Sequence, residues 1–413
     1  MPKSLGLNAW SRPRVFLVLR TGTSVLAGAL ALVYSRQLGI QNRSIVGFIM
    51  VTAITLIYLF ASGITLTFRQ LSNSPEKQNE QLTRVAVLLV TVAVIISGLS
   101  FLCLIIYSHT KASIPPSLLA LGCLFTLMAC LDYSSSNILV ALGKLRTASA
   151  IEISTVFLQI VFYLWLQFIN QTGLTLSLLM ALSASYLFST LSTLLVIFRK
   201  FNSERLFDVG EALKFIKTVR HNHVFSVVNG VADYSDKLIV AWFMPLAKFS
   251  QYSVMSGLIN YVRFLPEALS NLFVAGHGKA IIDRIIRHKK PLLILGILLY
   301  LLSGGFIYFF TQLWFGAEWT LPIAIYYLFT IQELLRGAYL VLSANLIRFG
   351  GDRSSSHISV ILICLYFLFT ISGVFILGIY GVVFGQILAY LTCMNLSRIA
   401  LKKIKNSSEM SQS

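Results

Sequence analysis

The chain has 413 residues, is 56% hydrophobic and only 12% charged, and carries a formal net charge of +18. A soluble fold of this size would not need so much apolar surface, and the mean hydropathy of +0.79 points to the membrane. The five cysteines (Cys103, Cys123, Cys130, Cys364, Cys393) form no Cys-x-x-Cys pair, so neither a disulfide framework nor a zinc site is supported.

Apolar runs of about 20 residues recur along the whole length, the span a helix needs to cross a hydrocarbon core. Twelve spans are predicted, near 14–35, 44–66, 85–107, 114–141, 148–168, 174–198, 222–243, 248–273, 291–311, 319–342, 358–378 and 380–397. Run length argues for helices, because barrel strands would show short alternating segments. Lys3, Arg12 and Arg14 precede a first span too long for the apolar core of a signal peptide, and a second span follows directly. The expected fold class is an all-α polytopic membrane protein.

Positive charge alternates between the connections. Of the 33 Lys and Arg, 25 fall in every second loop and the two tails, while Arg36, Arg43, Lys111 and Lys248 fall in the opposite loops. Such a bias places both termini in the cytoplasm. Cationic loops facing anionic lipid account for most of the net charge, with no nucleic-acid partner. His221 and His223 stand at the mouth of the seventh span with no carboxylate near in sequence, so no metal is assigned.

The longest central loop divides the chain into an amino-terminal six-helix lobe (1–198), an interlobe cytoplasmic loop (199–221), a carboxy-terminal six-helix lobe (222–397) and a cytoplasmic tail (398–413). Leu206, Val209, Leu213 and Ile216 give the loop amphipathic helical spacing. Weak self-similarity relates the halves: Ser24-Val-Leu-Ala-Gly28 to Ser226-Val-Val-Asn-Gly230, and Gly143-Lys-Leu-Arg146 to Gly350-Gly-Asp-Arg353. Six spans per half make the repeats parallel, a geometry that places a cavity between them.

Four bases, Arg20, Lys237, Arg263 and Arg336, lie inside spans. Each costs roughly 2.5–3.5 kcal/mol at a helix centre on insertion scales, so each should face water or a partner. Polar stripes run along the first span (Arg20, Ser24, Ser35), the seventh (Asn222, Ser226, Asn229, Asp233, Asp236/Lys237) and the eighth (Ser253, Ser256, Asn260, Arg263, Glu267, Asn271). They read as walls of a wet cavity. Helix–helix packing explains the first stripe equally well. Arg263 is nearest mid-span, beside Pro266, which should kink the eighth helix. Arg20, Arg263, Lys237 and Arg336, with Asn229 and Asn260, are the candidate residues for an anionic substrate, since guanidinium binds phosphate bidentately. Asp233, Asp236 and Asp132 are candidates for a coupling proton or sodium ion; charge balance for the neighbouring bases is the competing role. Glu333 and Arg336, three apart, suit a structural ion pair. Gly381-x-x-x-Gly385 suits close packing within the monomer.

Short motifs in a fixed order carry a resemblance. They are Arg20 with Ser35-Arg-Gln-Leu-Gly39, Gly63 with Phe68-Arg69-Gln70-Leu71, and Leu142-Gly143-Lys144 with Arg146 and Ser149. Asp236-Lys237-Leu-Ile-Val, Tyr252-Ser-Val, Phe315-Gly316-Ala317-Glu318-Trp319 and Gly378-Ile-Tyr-Gly381 follow. Together they resemble the Wzx-type polysaccharide flippases of the multidrug/oligosaccharidyl-lipid/polysaccharide (MOP) exporter superfamily. The resemblance implies a V-shaped, MATE-like transporter of about twelve helices in two lobes, in the bacterial inner membrane. It implies a polyprenyl-pyrophosphate-linked oligosaccharide as cargo, moved to the periplasmic leaflet by alternating access, with a polysaccharide polymerase and a chain-length regulator as partners. Arg20 and Arg263 match basic cavity positions of related flippases. The second span departs from that pattern, with no basic residue inside the membrane.

A cation-coupled multidrug exporter of the same superfamily is the nearest rival. Such exporters typically need an acid in the amino-terminal lobe, and here none precedes Glu76. A membrane polymerase or ligase would need a large periplasmic loop with catalytic residues. Every such connection here is short, so no enzyme activity is expected.

Overall fold

The protein is described here from a computed structural model. It describes residues 13–71, 75–168, 173–198, 227, 230–231, 234–259, 290–348 and 352–410. By internal contact the chain divides into two units, Met1–Tyr234 and Ser235–Ser413. That division falls within the predicted seventh span; the predicted interlobe loop lies outside the described residues.

The first unit holds α1 (Pro13–Phe60), α2 (Ser62–Leu71), α3 (Pro75–Thr110), α4 (Pro116–Ala141), α5 (Leu145–Phe168) and α6 (Leu174–Phe198). Span one and most of span two lie in α1, which is two helical segments broken at Gly39 (φ 69°, ψ 171°), and the end of span two runs into α2. A side chain there would meet the left-handed penalty, so glycine ends the first span where Ser35–Gly39 is predicted to close it. Pro115 and Pro116 open α4, where a missing N–H costs nothing. The helices are apolar around most of their circumference because their outer faces meet lipid, as Leu195, Phe168 and Val94 do. Contacts between them are knit by small polar groups. Ser100 and Thr126 hydroxyls lie 2.9 Å apart between α3 and α4, and Ser97 donates to the Cys123 carbonyl at 2.9 Å. Phe48 stacks on Tyr107 to close α1 against α3.

The second unit holds helical residues 235–243 (α7; the helical residue before it, Tyr234, closes the first unit) and 246–259 (α8), then α9 (Lys290–Phe315), a 3-10 turn (Ala317–Trp319), α10 (Ile323–Arg348), α11 (Asp352–Leu377) and α12 (Ile379–Met410). Its core gathers Tyr339, Tyr366, Tyr390, Cys393 and Leu362. The Phe315–Trp319 motif packs inward: Trp319 is buried against Phe315, and Gln251 of α8 donates to the Glu318 carbonyl at 2.6 Å.

The α11–α12 contact is the closest approach. A Cβ on Gly381 would fall on the Gly373 carbonyl, and one on Gly385 would meet the Phe369 backbone about 2.5 Å away. The Gly381-x-x-x-Gly385 motif is thus used inside the chain. Among the described residues, eight helices are long and apolar enough to cross a membrane. Helix α10, which carries Gln332, Glu333 and Arg336, has the length but is not one of the eight.

Candidate functional site

Among the described residues, each unit carries a polar cluster among its apolar helices. In the second, Asp236 and Lys237 of α7, Tyr252 of α8, Gln332, Glu333 and Arg336 of α10 and Gln386 of α12 are all buried. The Tyr252 hydroxyl donates to Asp236 Oδ2 at 2.7 Å and accepts from Gln386 Nε2 at 3.4 Å. Lys237 Nζ stands 3.7 Å from Asp236 Oδ1. Arg336 Nη1 donates to Glu333 Oε2 at 3.5 Å, the pairing expected from their spacing. Tyr252 also feels the Glu333 charge, so the two ion pairs lie within electrostatic reach of one another.

This geometry bears on three of the sequence-predicted positions. Lys237 and Arg336, candidates for an anionic substrate, each lie within an ion-pair distance of a carboxylate and have little exposure. Asp236, a candidate for a coupling ion, is engaged by Tyr252 and Lys237. A buried charge is tolerated when it is paired and hydrogen-bonded, and each of the three has such a neighbour. Arg263, Asn260, Asn229 and Asp233 lie outside the described residues. Arg20 falls on α1, and its side chain lies outside them too.

The first unit holds Asp132, half-buried on α4. Its carboxylate accepts a hydrogen bond from Ser189 of α6 and lies within the field of Glu152 on α5. Ser136 donates to Glu152 Oε1 at 3.4 Å, and the Asp132 charge reaches Tyr186. Tyr58 of α1 contacts Tyr133 at 5.7 Å between centroids and Tyr234 at 5.5 Å. Two carboxylates with hydroxyls make an oxygen-rich setting suited to a proton or a hard cation. Among the described residues no three His, Cys, Asp or Glu come together as a metal site.

Glu152, Tyr252, Gln332, Gln386 and Ser189 are members that sequence reasoning passed over. Glu152 is visible as an acid inside the fifth predicted span, a signal as strong as any base inside a span. Nothing in sequence brings Tyr252 to Asp236.

No family model matches the chain, and no curated protein matches it. Solved structures do. An inward-facing multidrug resistance MATE family transporter of the MOP superfamily aligns with a TM-score of 0.68, at 14% identity, over 94% of this chain and 96% of its own. An outward-facing one aligns at 0.59, with 13% identity, over 96% and 98%. A Vibrio cholerae MATE transporter aligns at 0.56, with 14% identity, over 94% and 95%. The fold is MATE-like. At such identity the likeness concerns architecture alone.

Proposed function

We propose that the chain is a secondary exporter that works by alternating access and is driven by a cation. The observation that carries this reading is the MATE-like fold along nearly the whole chain. The Asp132 carboxylate, set in the field of Glu152, supplies the place for the cation. Two carboxylates sharing one region of low dielectric repel each other, and a bound proton or sodium ion relieves that repulsion.

Two cargoes fit such a machine, each favoured by a specific observation. A lipid-linked oligosaccharide is favoured by a stretch from Met1 to Pro75 with no Asp or Glu, and by Arg20 and Arg263 within predicted spans. A pyrophosphate needs such bases and gains nothing from acids. In that reading the protein works in the bacterial inner membrane, both termini cytoplasmic, beside a polymerase and a chain-length regulator. A multidrug cargo is favoured by the solved neighbours, which back it better than the lipid-linked one. The burial of Lys237 and Arg336 beside carboxylates favours it too, since it takes two of four bases from an anionic path.

Proteoliposomes decide between them. One set carries a fluorescent pyrophosphate-linked sugar lipid, the other a cationic dye, each under a proton or sodium gradient. Sugar-lipid movement that Arg263→Ala abolishes establishes the first cargo. Gradient-driven dye movement that Asp132→Asn abolishes establishes the second. An absence of both in inserted, folded protein refutes the exporter reading.

A further inference from the structure

The outer face of α12 changes character along its length. Phe384, Leu388, Leu391, Asn395, Arg398 and Lys402 follow one another at alternating steps of four and three, so they form one stripe along the helix. All six are exposed. The stripe is apolar as far as Leu391 and basic from Arg398 on. The chain turns into α12 at Gly378 (φ 59°), and Arg398 lies 20 residues further along. At about 1.5 Å per residue that is about 30 Å, one hydrocarbon thickness from the turn. Arg398 therefore stands at the level of lipid phosphates, with Lys402 one turn beyond it.

The opposite face of α12 holds this end in place. Leu396, Ala400, Leu401 and Ile404 pack against the core cluster that includes Tyr339, Leu346 and Ile358. The two bases are thus carried on a packed helix. No Asp or Glu occurs in α12 before Glu409, and among the described residues neither Arg398 nor Lys402 has a carboxylate partner. Lys403 already interacts within the chain and is not assigned to the site. A helix C-terminus attracts bases, but that pull fades within the last turn, and α12 runs to Met410 with no base in its last turn. Two fixed bases without a counter-charge, above an exposed apolar strip, complement a headgroup of net negative charge on an acyl chain. A choline headgroup carries its own cation and gains less.

We propose that this stripe binds one anionic phospholipid, its phosphate at Arg398 and Lys402 and an acyl chain along Leu391, Leu388 and Phe384. The site uses the exposed face of α12, whereas Gln386 of the polar cluster is buried. It holds under either cargo reading.

Full-length protein in phosphatidylcholine nanodiscs with rising fractions of phosphatidylglycerol provides the test. The melting temperature is followed across the series, and native mass spectrometry counts the phosphatidylglycerol retained by protein released from the discs. Phosphatidylglycerol is expected to raise the melting temperature to saturation and to leave one molecule bound. Soluble glycerol phosphate, the same head without a tail, should do neither. Arg398→Gln/Lys402→Gln should weaken the apparent affinity at least tenfold, and Arg398→Lys/Lys402→Arg should keep most of it. Lys111→Gln/Lys248→Gln removes as much charge from the predicted opposite face and should leave the affinity unchanged. Should the first double variant fail to fold, Arg398→Gln alone decides, with a several-fold loss expected. Three results overturn the proposal: retention of phosphatidylglycerol no better than that of phosphatidylcholine, an affinity that survives the loss of Arg398 and Lys402, or an equal loss in Lys111→Gln/Lys248→Gln. A response to glycerol phosphate as strong as to the lipid overturns it as well.

Discussion

Glu333 and Arg336 are nearly sealed from solvent, so removing either charge alone unbalances the other in a low-dielectric interior. Breaking a buried pair from one side costs about 3–5 kcal/mol, whereas replacing both members with apolar residues of similar volume is often neutral. Glu333→Gln should therefore lower the thermal unfolding temperature of the purified protein sharply, and the double variant Glu333→Leu/Arg336→Met should recover most of it. A single variant as stable as the parent would show that the pair contributes nothing. The intramembrane charges were legible as residues that require partners. The partners themselves were only half legible. Spacing offers Asp233, which lies one turn before Lys237 and outside the described residues; it does not offer the adjacent Asp236, which the long lysine stem reaches. Tyr252 and Ser189 reach their carboxylates from other helices, 16 and 57 residues away in sequence, and helical periodicity within one span says nothing about that.

At the level of elements, glycine sets where helices break and where they touch. Spans one and two are predicted as separate helices, and the chain does break between two helical segments at Gly39. The signal was in the sequence, since a glycine closing an apolar run is where a chain adopts positive φ. The α11–α12 contact was legible as a small-residue motif, but its partner Gly373 was not, because the match depends on the register of two helices. Gly381→Val should separate these helices and reduce the yield of monodisperse protein several-fold in gel filtration, because the added atoms meet backbone that has nowhere to move. Gly257→Ala is the internal control. A Cβ there meets nothing within 4 Å, so this change in a helix should be neutral or stabilising by up to about 1 kcal/mol. Equal yields from the two variants would refute the packing argument.

For the molecule as a whole, hydropathy made the all-helical membrane architecture legible before any fold was seen, because length and apolarity are one-dimensional properties. Orientation is a different matter, since span length and apolarity are the same whichever way a helix crosses, and the distribution of charge distinguishes the faces. Here 25 of 33 basic residues fall on one predicted face, including the cluster Arg398, Lys402, Lys403 and Lys405 near the carboxy terminus. The loop between α3 and α4 holds Lys111 alone. Alkaline phosphatase, which is active only outside the cytoplasm, should be inactive when fused after Ser413 and active when inserted after Lys111. A green fluorescent protein fusion should give the reverse pattern. Replacing the four carboxy-terminal bases with neutral residues should leave both results unchanged, because the remaining bases still outnumber those of the opposite face. An active phosphatase at Ser413 in the unaltered protein would invert the orientation, and with it the direction in which any cargo is moved.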